Sequence, residues 1–546
     1  SSFINKEKLL SSLEIIRSKR CFFSRMFSSQ LNPMLESVSF IKTPAAKKQP
    51  PASKECGVWT TDSPSIHNAP LPADGPGSTS FSNTILFSIL ALVPGYITYK
   101  LGLGFKTWVF FFLLLAIPIL MAYWTIMSTF SPRINEKVKY PNRPISYYLE
   151  FHTPELKAKY ETSNNGKGTK IPIETFQELY FDGKVSFKGD CLDVLEYKHD
   201  WANFRFTLGL FRFFLLGMIP EVIFHSQSQD EEQVRDHYDR GDDFYTWFLG
   251  PRMIYTSGVI SDITREETLE ELQDNKLTVM ADKIDLQKGD HVLDIGCGWG
   301  TWTTFASSKY GANVTGITLG KNQTKWGTTL LNEYGISPEQ SRIVCCDYRD
   351  APKSNKPSGK YDKITSVEMA EHVGIRRLTA YLEQCFDALE DDGLLFLQYS
   401  GLRKNWQYED LEWGLFMNKY IFPGADASTP LSFFSSCMEA VGFEIVSVDN
   451  IGVHYSATLW RWYRNWIGNK DKVVNKYGVK WYRIWEFFLG SSVVASRNGT
   501  ATCYQFICRK NINSYRRVNY IPNQKGLLGP LQEGTKWAKE FNNFYN

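Results

Sequence analysis

A glycine-rich bend that follows an apolar run is the part of this sequence that points most directly to chemistry. The residues read His291-Val-Leu-Asp-Ile-Gly-Cys-Gly-Trp-Gly300. Glycines let a backbone approach a ligand closely and adopt dihedral angles that other residues avoid. The spacing is G-x-G-x-G rather than the G-x-G-x-x-G of dinucleotide sites. Asp294 would repel phosphate and attract a cationic amine or hydroxyls, which indicates an S-adenosylmethionine site rather than a purely structural turn.

The elements around this bend alternate between strand and helix from about residue 233 onward. Such alternation predicts an α/β fold with a doubly wound, parallel-type sheet covered by helices on both faces. Ligands of such sheets bind beyond the carboxyl ends of the strands, near the point where the strand order reverses. The predicted strands are His291–Ile295, Asn313–Thr318, Arg342–Cys346, Tyr361–Val367, Leu394–Tyr399, Phe443–Val448 and Thr502–Cys508. The predicted helices are Trp302–Lys309, Lys321–Tyr334 and Arg376–Leu389.

Composition limits the classes of function. The chain has 546 residues, which suggests several units. Lys+Arg is 61 against Asp+Glu 58, and a formal net charge of +3 argues against an electrostatic nucleic-acid binder. The aromatic share of 15% fits a protein that handles long apolar ligands or a membrane surface. The 10 cysteines form no C-x-x-C pair, so no metal site is predicted and a reducing compartment is favoured.

Two uncharged apolar stretches, Thr84–Tyr99 and Thr107–Met127, lie close together near the start of the chain. Each can reach the length of about 20 residues that crosses a bilayer, and the short connection between them predicts a transmembrane helical hairpin over 81–128. The alternative is a pair of buried helices in a soluble core. Basic residues after the hairpin favour the cytosol for both of its ends; they are Arg133, Lys137, Lys139 and Arg143.

The remaining segments are assigned by composition. A leader rich in Ser, Pro and Gly is expected to be disordered. A linker follows the hairpin and contains an apolar stretch with Arg212 and Glu221, interpreted as an interfacial helix or as a packed helix of the soluble domain. The predicted segments are the leader 1–80, the hairpin 81–128, the linker 129–232 with its helix near 207–224, the α/β domain 233–512 that contains the glycine bend, and a C-terminal tail 513–546.

Seven ordered motifs between residues 230 and 510 carry a resemblance to a known family. They are His237-Tyr-Asp-Arg-Gly-Asp-Asp-Phe-Tyr245, Met253-Ile-Tyr-Thr-Ser257, Leu293–Thr301, Gly316-Ile-Thr-Leu-Gly-Lys-Asn-Gln323, Asp347-Tyr-Arg-Asp350, Glu368-Met-Ala-Glu-His-Val-Gly374 and Asn418-Lys-Tyr-Ile-Phe-Pro423. The bend resembles motif I of class I methyltransferases. More narrowly, the chain resembles the cyclopropane fatty acid synthase and mycolic acid methyltransferase family. A membrane hairpin ahead of such a domain is the arrangement of fungal sphingolipid C9-methyltransferases.

This resemblance implies a class I methyltransferase with S-adenosylmethionine as its cofactor, and it implies which residues bind it. Tyr255 and Thr256 would contact the cofactor from an N-terminal cap. The bend itself would be Leu293, Asp294, Ile295, Gly296, Cys297, Gly298, Trp299, Gly300 and Thr301. The ribose hydroxyls would be reached from Thr318, Leu319, Gly320, Lys321, Asn322 and Gln323. The adenine would be bordered by Asp347, Tyr348 and Arg349.

The implied reaction transfers a methyl group to an isolated alkene, a poor nucleophile. An apolar slot must align the double bond with the methyl group, and the cation that results needs negative or π-rich groups nearby. The cation then loses a proton to a base. Loss from the new methyl group closes a cyclopropane, whereas loss from a chain carbon leaves a methyl-branched alkene. The position of the base therefore decides the product.

In the family this base is thought to be a bicarbonate ion held by a carboxylate, a tyrosine, a histidine and a cysteine-bearing loop. The carboxylate and the tyrosine align with Glu371 and Tyr455. The histidine falls at Gln398 and the cysteine at Ser257, so two of the four side chains differ. This difference favours acid/base chemistry by the protein itself. Glu371 is the leading candidate, with Tyr455 orienting it or shielding the cation.

Three neighbouring residues have weaker assignments. His372 and His454 are expected to be structural, because neighbours on a helix or strand usually point elsewhere. Glu368 stands where the family tends to have glycine, and its role is open.

The resemblance implies methylation of C9 in the unsaturated long-chain base of ceramide or glucosylceramide. Because a two-chain lipid leaves a bilayer only at a cost of about 0.8 kcal/mol per CH₂, a membrane anchor brings the enzyme to its substrate. We expect an integral membrane protein, in the endoplasmic reticulum, whose catalytic domain is cytosolic and whose oligomeric state is open. The alternatives are a cyclopropane synthase acting on phospholipid acyl chains and a membrane-bound lipid-binding protein with an inactive methyltransferase fold.

Overall fold

The computed structural model describes residues 63–67, 82–130, 140–163, 168–218, 241–404, 408–423 and 429–513. Most of the predicted leader, the second part of the predicted interfacial helix and nearly all of the predicted tail lie outside the described residues. The first four residues of the motif that starts at His237 also lie outside them.

A seven-stranded sheet organises the catalytic part of the chain. Its order is β6-β7-β5-β4-β1-β2-β3, so the strand order reverses between β1 and β4. Neighbours from β5 to β3 run parallel, whereas β7 runs antiparallel to both β5 and β6. The sheet is therefore mixed at one edge, where alternation alone predicted a parallel sheet. The strands are β1 (His291–Ile295), β2 (Asn313–Thr318), β3 (Arg342–Cys345), β4 (Tyr361–Val367), β5 (Leu389–Leu402), β6 (Phe443–Asn450) and β7 (Ala501–Lys510).

Both faces of this sheet are buried, as the continuous apolar runs of the central strands require. Successive residues of a strand point to opposite faces. Val292 accordingly packs in one core cluster with Phe396, whereas Leu293 packs in another with Leu395. Helices cover each face, so the sheet is doubly wound as the sequence predicted.

The helices follow the sequence pattern closely. Leu269–Lys283 begins with a reciprocal capping box between Thr268 and Glu271, a motif that satisfies exposed backbone donors at a helix start. The other α-helices of the described residues are Ile145–Tyr148, Pro154–Leu156, Ile173–Phe181, Cys191–Glu196, Lys198–Trp201, Leu208–Phe213, Asp242–Leu249, Thr301–Phe305, Lys321–Glu333, Leu378–Ala388, Tyr408–Phe416, Leu431–Val441, Gly452–Gly468, Lys470–Tyr477 and Val479–Asn498, besides the two of the hairpin. Single π-helical turns extend four segments, Lys157–Glu161, Phe214–Met218, Ala306–Tyr310 and Met417–Ile421. Short 3₁₀ turns occur at Tyr348–Asp350 and Ala370–His372.

Two helices before the catalytic part, α1 (Asn83–Lys100) and α2 (Phe105–Phe130), pack against each other as a hairpin. The Tyr123 hydroxyl donates to the backbone oxygen of Ser82 at 3.0 Å, which places the start of α1 beside the second half of α2. Within the described residues, only α2 is long and apolar enough to cross a membrane. At 1.5 Å per residue α1 is about 27 Å long, slightly less than the hydrocarbon core of a bilayer.

The far end of α2 contacts the rest of the protein. Trp124 packs on Phe206, with ring centroids 4.9 Å apart, and shares an apolar cluster with Phe211 and Leu411. Phe211 belongs to the short helix Leu208–Phe213, which the sequence assigned to an interface or to the soluble domain. This helix buries Leu210 and Phe211, while Leu208 is exposed. One side therefore packs on the protein, and apolar surface remains on the other side.

The described part of the predicted linker also packs into the catalytic unit. Phe176 and Trp201 are fully buried in the same core cluster as Trp462 and Trp485. The aromatic-rich helix Gly452–Gly468 contributes Trp462, Tyr463 and Trp466 to this core. Two small sheets complete this region, an antiparallel pairing of Leu149–Phe151 with Val185–Phe187 and a parallel pairing of Ile171–Pro172 with Ala202–Asn203.

A short described piece of the predicted leader lies on the same unit. Ile66 is buried beside Leu272 and Ala457, and the His67 ring stacks on Trp460 at a centroid distance of 3.5 Å. At least this piece of the leader is therefore packed against the catalytic domain.

Candidate active site

A cavity of about 820 Å³ lies at the carboxyl ends of β1, β2 and β4, where the strand order reverses. This is the location expected for a ligand of a doubly wound sheet. Its wall includes many of the residues that the sequence assigned to a cofactor. They are Tyr255, Thr256, Asp294, Gly296, Cys297, Gly298, Trp299, Thr301, Thr318 and Gln323.

The glycine bend has the backbone conformation that its sequence requires. Gly296, Gly298 and Gly300 have φ values of 76°, 54° and 78°, a region that side chains other than glycine rarely adopt. A Cβ atom added at Gly298 would meet no atom within 4 Å, so the space beside this backbone is open. A Cβ atom at Gly300 would lie 3.0 Å from the Cα atom of Gly327, because the bend packs closely on helix Lys321–Glu333. Gly298 thus leaves room for a ligand, and Gly300 leaves room for a neighbouring helix.

Asp294 presents a buried carboxylate at the end of β1. It is 2% exposed and accepts hydrogen bonds from the hydroxyls of Thr303 at 2.9 Å and Thr365 at 3.0 Å. Burial raises its pKa to about 6, against the opposing effect of the two hydroxyls. The carboxyl is therefore mainly ionised at neutral pH, and a cation bound in the cavity would favour the charged form further.

The ribose side of the predicted site lies at the end of β2. The Thr318 hydroxyl contacts the Gln323 side chain at 2.6 Å, and both residues line the cavity. The residues between them do not line it. Leu319, Gly320, Lys321 and Asn322 form the turn and the first residues of helix Lys321–Glu333.

Several residues that were predicted to bind the cofactor do not line the cavity but lie behind or beside it. Leu293 and Ile295 are buried in the core below the bend. Asp347 caps its own turn and pairs with Arg349 at 2.6 Å, while the Tyr348 ring packs edge-on against Tyr381. These three residues do not line the cavity in this structure.

The apolar part of the wall comes largely from residues to which the sequence analysis gave no role in the site, although three of them lie inside its quoted motifs. They are Met253, Ile254, Leu277, Met280, Trp302, Val367 and Met369. Leu277 and Met280 lie on one side of helix Leu269–Lys283. The spacing of the apolar residues in that helix could therefore have indicated which side faces the cavity. Most of the exposed wall is apolar, which suits the alkene chain of a lipid.

A buried lysine was also missed. Lys276 is 2% exposed, and its amine donates a very short hydrogen bond to the Thr256 hydroxyl. Burial lowers its pKa to about 8, while the charges of Glu368 and Asp294 act in the opposite direction. Its amine is therefore the positive counter-charge to these two carboxylates.

Glu368, whose role the sequence left open, is at the centre of a hydrogen-bond cluster on the cavity wall. One carboxylate oxygen accepts from the Tyr455 hydroxyl at 2.7 Å. The other accepts from the Gln398 side chain at 2.6 Å and from the backbone N–H of Ser257 at 3.1 Å. The cluster thus joins Glu368 to Ser257 and Gln398, the two positions at which the chain differs from the family that it resembles. Burial raises the pKa of Glu368, and these donors oppose the rise.

Glu371 lies in different surroundings. One of its oxygens accepts a very short hydrogen bond from the backbone N–H of Ser400, and the other has no hydrogen-bond partner among the described residues. Burial, followed by the charge of nearby Glu368, raises its pKa to about 8. Glu371 is not part of the cavity wall, and Tyr455 donates to Glu368 instead. Of the two roles that the sequence left open for Tyr455, orienting Glu371 and shielding the cation, the first has no direct hydrogen bond in this structure.

The two histidines differ in position. His454 accepts a hydrogen bond from the backbone N–H of Ile260 at 2.9 Å through Nδ1, a structural role as expected. His372 lines the cavity, and burial lowers its pKa to about 4, so its ring is neutral. The Phe422 ring lies 6.0 Å from His372 and 6.2 Å from Tyr255. Phe422 comes from the segment that follows β5 and covers this side of the cavity.

A second cavity, of about 850 Å³, lies beyond the ends of β5 and β7 and shares no lining residue with the first. Arg403 pairs there with Asp410 at 2.7 Å, and the Thr500 hydroxyl donates to the same carboxylate at 2.8 Å. These three polar groups bind one another, so they form a structural connection between β5, helix Tyr408–Phe416 and β7.

Comparison with known proteins gives a consistent family. The family described as mycolic acid cyclopropane synthetase matches residues 225–506. The sphingolipid C9-methyltransferase of Candida albicans is 94% identical over 94% of this chain and 100% of its own length. The sphingolipid C9-methyltransferase of Komagataella phaffii is 64% identical over 88% of this chain and 98% of its own length.

Solved structures with a similar fold include two cyclopropane synthases. The cyclopropane synthase MmaA2 from Mycobacterium tuberculosis is 26% identical, with a TM-score of 0.48, over 51% of this chain and 98% of its own. The mycolic acid cyclopropane synthase CmaA1 complexed with SAH and CTAB is 27% identical, with a TM-score of 0.47, over the same shares of the two chains.

Proposed function

The chain belongs to the mycolic acid cyclopropane synthetase family and, within it, to the sphingolipid C9-methyltransferases, and we propose that it methylates C9 of the unsaturated long-chain base of ceramide or glucosylceramide. The methyl donor is S-adenosylmethionine. One observation carries this proposal beyond the relatives: the buried Asp294 and the glycine bend open into a cavity whose wall is mostly apolar. A charged donor and an uncharged hydrocarbon chain would both find matching surroundings there.

The residues of the cavity fit this donor. When bound, S-adenosylmethionine supplies a methyl group on a positively charged sulfonium. The Asp294 carboxylate complements positive charge, and the open space beside Gly298 admits a ligand next to the backbone. Thr318 and Gln323 offer hydroxyl and amide groups suited to ribose hydroxyls.

The same wall can hold and protect the reacting alkene. Leu277, Met280 and Met369 exclude water from the chain and restrict its orientation, which raises the rate of a reaction with a poor nucleophile. Positive charge that develops on the chain would face the π-systems of Tyr255 and Trp299, which lie on the same wall. The Trp299 ring is fixed because its Nε1–H donates to Asp242 at 3.1 Å.

The hairpin is proposed to hold the enzyme on the membrane that contains its substrate. Outward-facing side chains of α2, among them Phe110 and Leu113, are exposed and apolar. We assign the hairpin to the endoplasmic reticulum membrane, with the catalytic domain of about 233–512 on the cytosolic side. The cluster of Trp124, Phe206 and Leu411 would fix the catalytic domain close to the bilayer surface.

Production of the full chain in a sphingolipid-making cell that lacks its own C9-methyltransferase tests this function. The expected result is a long-chain base that gains one methyl branch at C9 and keeps its number of double bonds. Counting double bonds is essential, because a cyclopropane adds the same mass. Unchanged long-chain bases with cyclopropane rings in the phospholipids would instead establish the phospholipid cyclopropane synthase. Bound S-adenosylhomocysteine without any new lipid would indicate the lipid-binding alternative.

A further inference from the structure

We propose that Glu368 is the catalytic base, and that its carboxylate accepts the proton lost by the methylated chain. This inference rests on the proposed function and assigns a step within it. It replaces Glu371, the candidate that motif alignment favoured, with a residue to which the sequence gave no role.

The position of Glu368 is the first argument. It follows β4 directly, and its side chain lies on the wall of the cavity that also contains Asp294 and Gly298. Among the described residues of this wall, the carboxylates are those of Asp294 and Glu368. Two threonine hydroxyls hold Asp294 beside the glycine bend, where it complements the donor. Glu368 is therefore the carboxylate left to act on the chain.

The backbone of Glu368 is the second argument. Its φ of 51° lies in the left-handed region, which glycine adopts freely and glutamate adopts only with strain. Strain of this kind persists where surrounding contacts over-determine the conformation, and it concentrates at functional sites. Glycine would adopt this backbone conformation with less strain. The presence of glutamate therefore indicates that its side chain has a function.

The convergence of donors is the third argument. Three separate elements each donate a hydrogen bond to the same carboxylate. Tyr455 lies in helix Gly452–Gly468, Gln398 lies in β5, and Ser257 lies in the loop before helix Leu269–Lys283. Such donors stabilise an ionised carboxylate and fix its direction. One oxygen has Tyr455 as its hydrogen-bond donor, which leaves acceptor capacity for a proton.

The groups around Glu368 give it different acid/base properties from those of Glu371. The groups that face it are Lys276, Glu371, Tyr455 and Cys503. Burial and the nearby charge hold the pKa of Glu371 at about 8, so Glu371 is mainly protonated at neutral pH. Burial raises the pKa of Glu368 as well, but its hydrogen-bond donors and the buried Lys276 oppose that rise. Pairs of acids whose surroundings separate their pKa values in this way divide the acid and base functions.

The step balances as a single proton transfer. After methylation of one alkene carbon, the adjoining carbon carries the positive charge. A C–H bond of the chain then breaks, and its electron pair forms the new carbon–carbon double bond. The proton passes to an oxygen of Glu368, which becomes a neutral carboxylic acid and returns the proton to solvent before the next turnover.

Two substitutions at Glu368 test the assignment in the full-length protein. Glu368→Gln keeps the shape and removes the base, and it should lower kcat by at least about a hundredfold, the usual contribution of a general base. Glu368→Gly should lose a similar factor, but it relieves the backbone strain and leaves a space of carboxylate size. Added formate should restore a substantial part of the rate of Glu368→Gly and none of the rate of Glu368→Gln.

Asp285→Gly is the matched control. Asp285 also has a positive φ, of 48°, but it is exposed and lies outside the cavity. Its replacement by glycine should leave the rate unchanged and unaffected by formate, which separates backbone relief from the loss of a carboxylate.

Binding and product analysis give readouts that do not depend on rate. Calorimetry should show S-adenosylhomocysteine bound to Glu368→Gln within a few-fold of wild type. Residual product from this variant should contain a different proportion of ring to branched alkene, because the proton is lost to another acceptor. A Glu368→Gln protein with wild-type kcat, or a folded, cofactor-binding Glu368→Gly protein that formate does not rescue, would overturn the assignment. The wild-type lipid product decides the proposed function separately.

Discussion

The two buried carboxylates after β4 show how surroundings give different properties to one residue type. Glu368 accepts four hydrogen bonds on the cavity wall, one of them from the Cys503 thiol, whereas Glu371 accepts one and keeps an oxygen that has no partner among the described residues. Sequence alignment ranks them in the opposite order, since Glu371 matches the family carboxylate. The relevant difference is the number of hydrogen bonds that each carboxylate accepts. Most of the donors to Glu368 lie far from it in the sequence.

Asp294→Asn should weaken binding of S-adenosylmethionine by about tenfold or more, which corresponds to about 1.4 kcal/mol. The substitution keeps the shape of the side chain and removes the buried negative charge that faces the cavity. Isothermal titration calorimetry on the full-length protein measures the effect.

Asp362→Asn serves as the control for this prediction. Asp362 is in the first part of β4, at the opposite end of the sheet, and accepts a hydrogen bond from the backbone of His291. Cofactor affinity should be unchanged in this variant. Equal affinities of Asp294→Asn and wild type would exclude Asp294 from cofactor binding.

The raised pKa of Glu371 predicts a pH-dependent effect on stability. The pKa of its carboxyl is about 8 in the folded state and near the ordinary glutamate value of 4.5 when the chain is unfolded. Between these values the folded state binds more protons, so this group destabilises the fold increasingly as pH rises. Glu371→Gln cannot ionise, and its melting temperature relative to wild type should rise by several degrees from about pH 5 to about pH 8.5.

Thermal unfolding in detergent at a series of pH values checks this effect. Subtracting the wild-type melting temperature at each pH removes the contribution of the titrating groups that both proteins share. A difference that does not depend on pH would show that Glu371 ionises normally in the folded protein.

At the scale of elements, the glycine bend depends on its contact with helix Lys321–Glu333. Gly300→Ala places a Cβ atom 2.5 Å from Cδ1 of Ile343 and 3.0 Å from the backbone of Gly327, and it requires alanine at a φ of 78°. The conformation alone costs about 1–2 kcal/mol, and displacement of the helix adds to it. We expect a lower melting temperature and a loss of S-adenosylhomocysteine binding.

Gly335→Ala is the matched control for this contact. Gly335 has a similar φ of 67°, but an added Cβ atom would meet nothing within 4 Å. This variant should show the conformational cost alone and keep its cofactor affinity. If both variants lose the same stability and both bind, the close packing of the bend on the helix has no functional importance.

The short-range features of the fold were predictable from the sequence, and the long-range features were not. β1, β2 and β4 match their predicted bounds, because apolar periodicity and glycine positions are local signals. The reversed direction of β7 was not predicted, since pairing direction depends on how distant strands meet. The bend and Asp294 were found from their spacing. The cluster around Glu368 was not found, because Ser257, Gln398 and Tyr455 lie 111, 30 and 87 residues from it.

At the scale of the whole molecule, the hairpin is connected to the catalytic unit by packing as well as by the chain. Trp124 of α2 contacts Phe206, and the backbone N–H of Phe206 donates to the Ser128 hydroxyl at 3.4 Å. These contacts restrict how the catalytic domain can turn relative to the hairpin. The reaction cavity would therefore keep one orientation toward the hairpin.

A charge in the middle of α2 tests whether the hairpin is an anchor. Leu114 is 56% exposed on the outer face of this helix, and Leu114→Lys should cost about 3 kcal/mol of membrane insertion. Washing the membranes at alkaline pH should extract a larger fraction of this variant than of the wild-type protein. Ile263→Lys, at a position of the catalytic domain that is 71% exposed, is the control and should stay in the membrane fraction. Equal extraction of all three proteins would contradict insertion of α2.

The hairpin also predicts the same side of the membrane for both ends of the chain. The start of α1 lies beside Tyr123, near the end of α2, so a chain that crosses the membrane with both helices would return to the side from which it entered. The excess of basic residues that follows α2 predicts that this side is the cytosol. In sealed microsomes, an added protease should therefore remove epitope tags from both termini before detergent is present, while a lumenal marker protein stays intact. Protection of both tags until detergent opens the vesicles would place the catalytic domain in the lumen, and protection of one tag would show that the chain crosses the membrane an odd number of times.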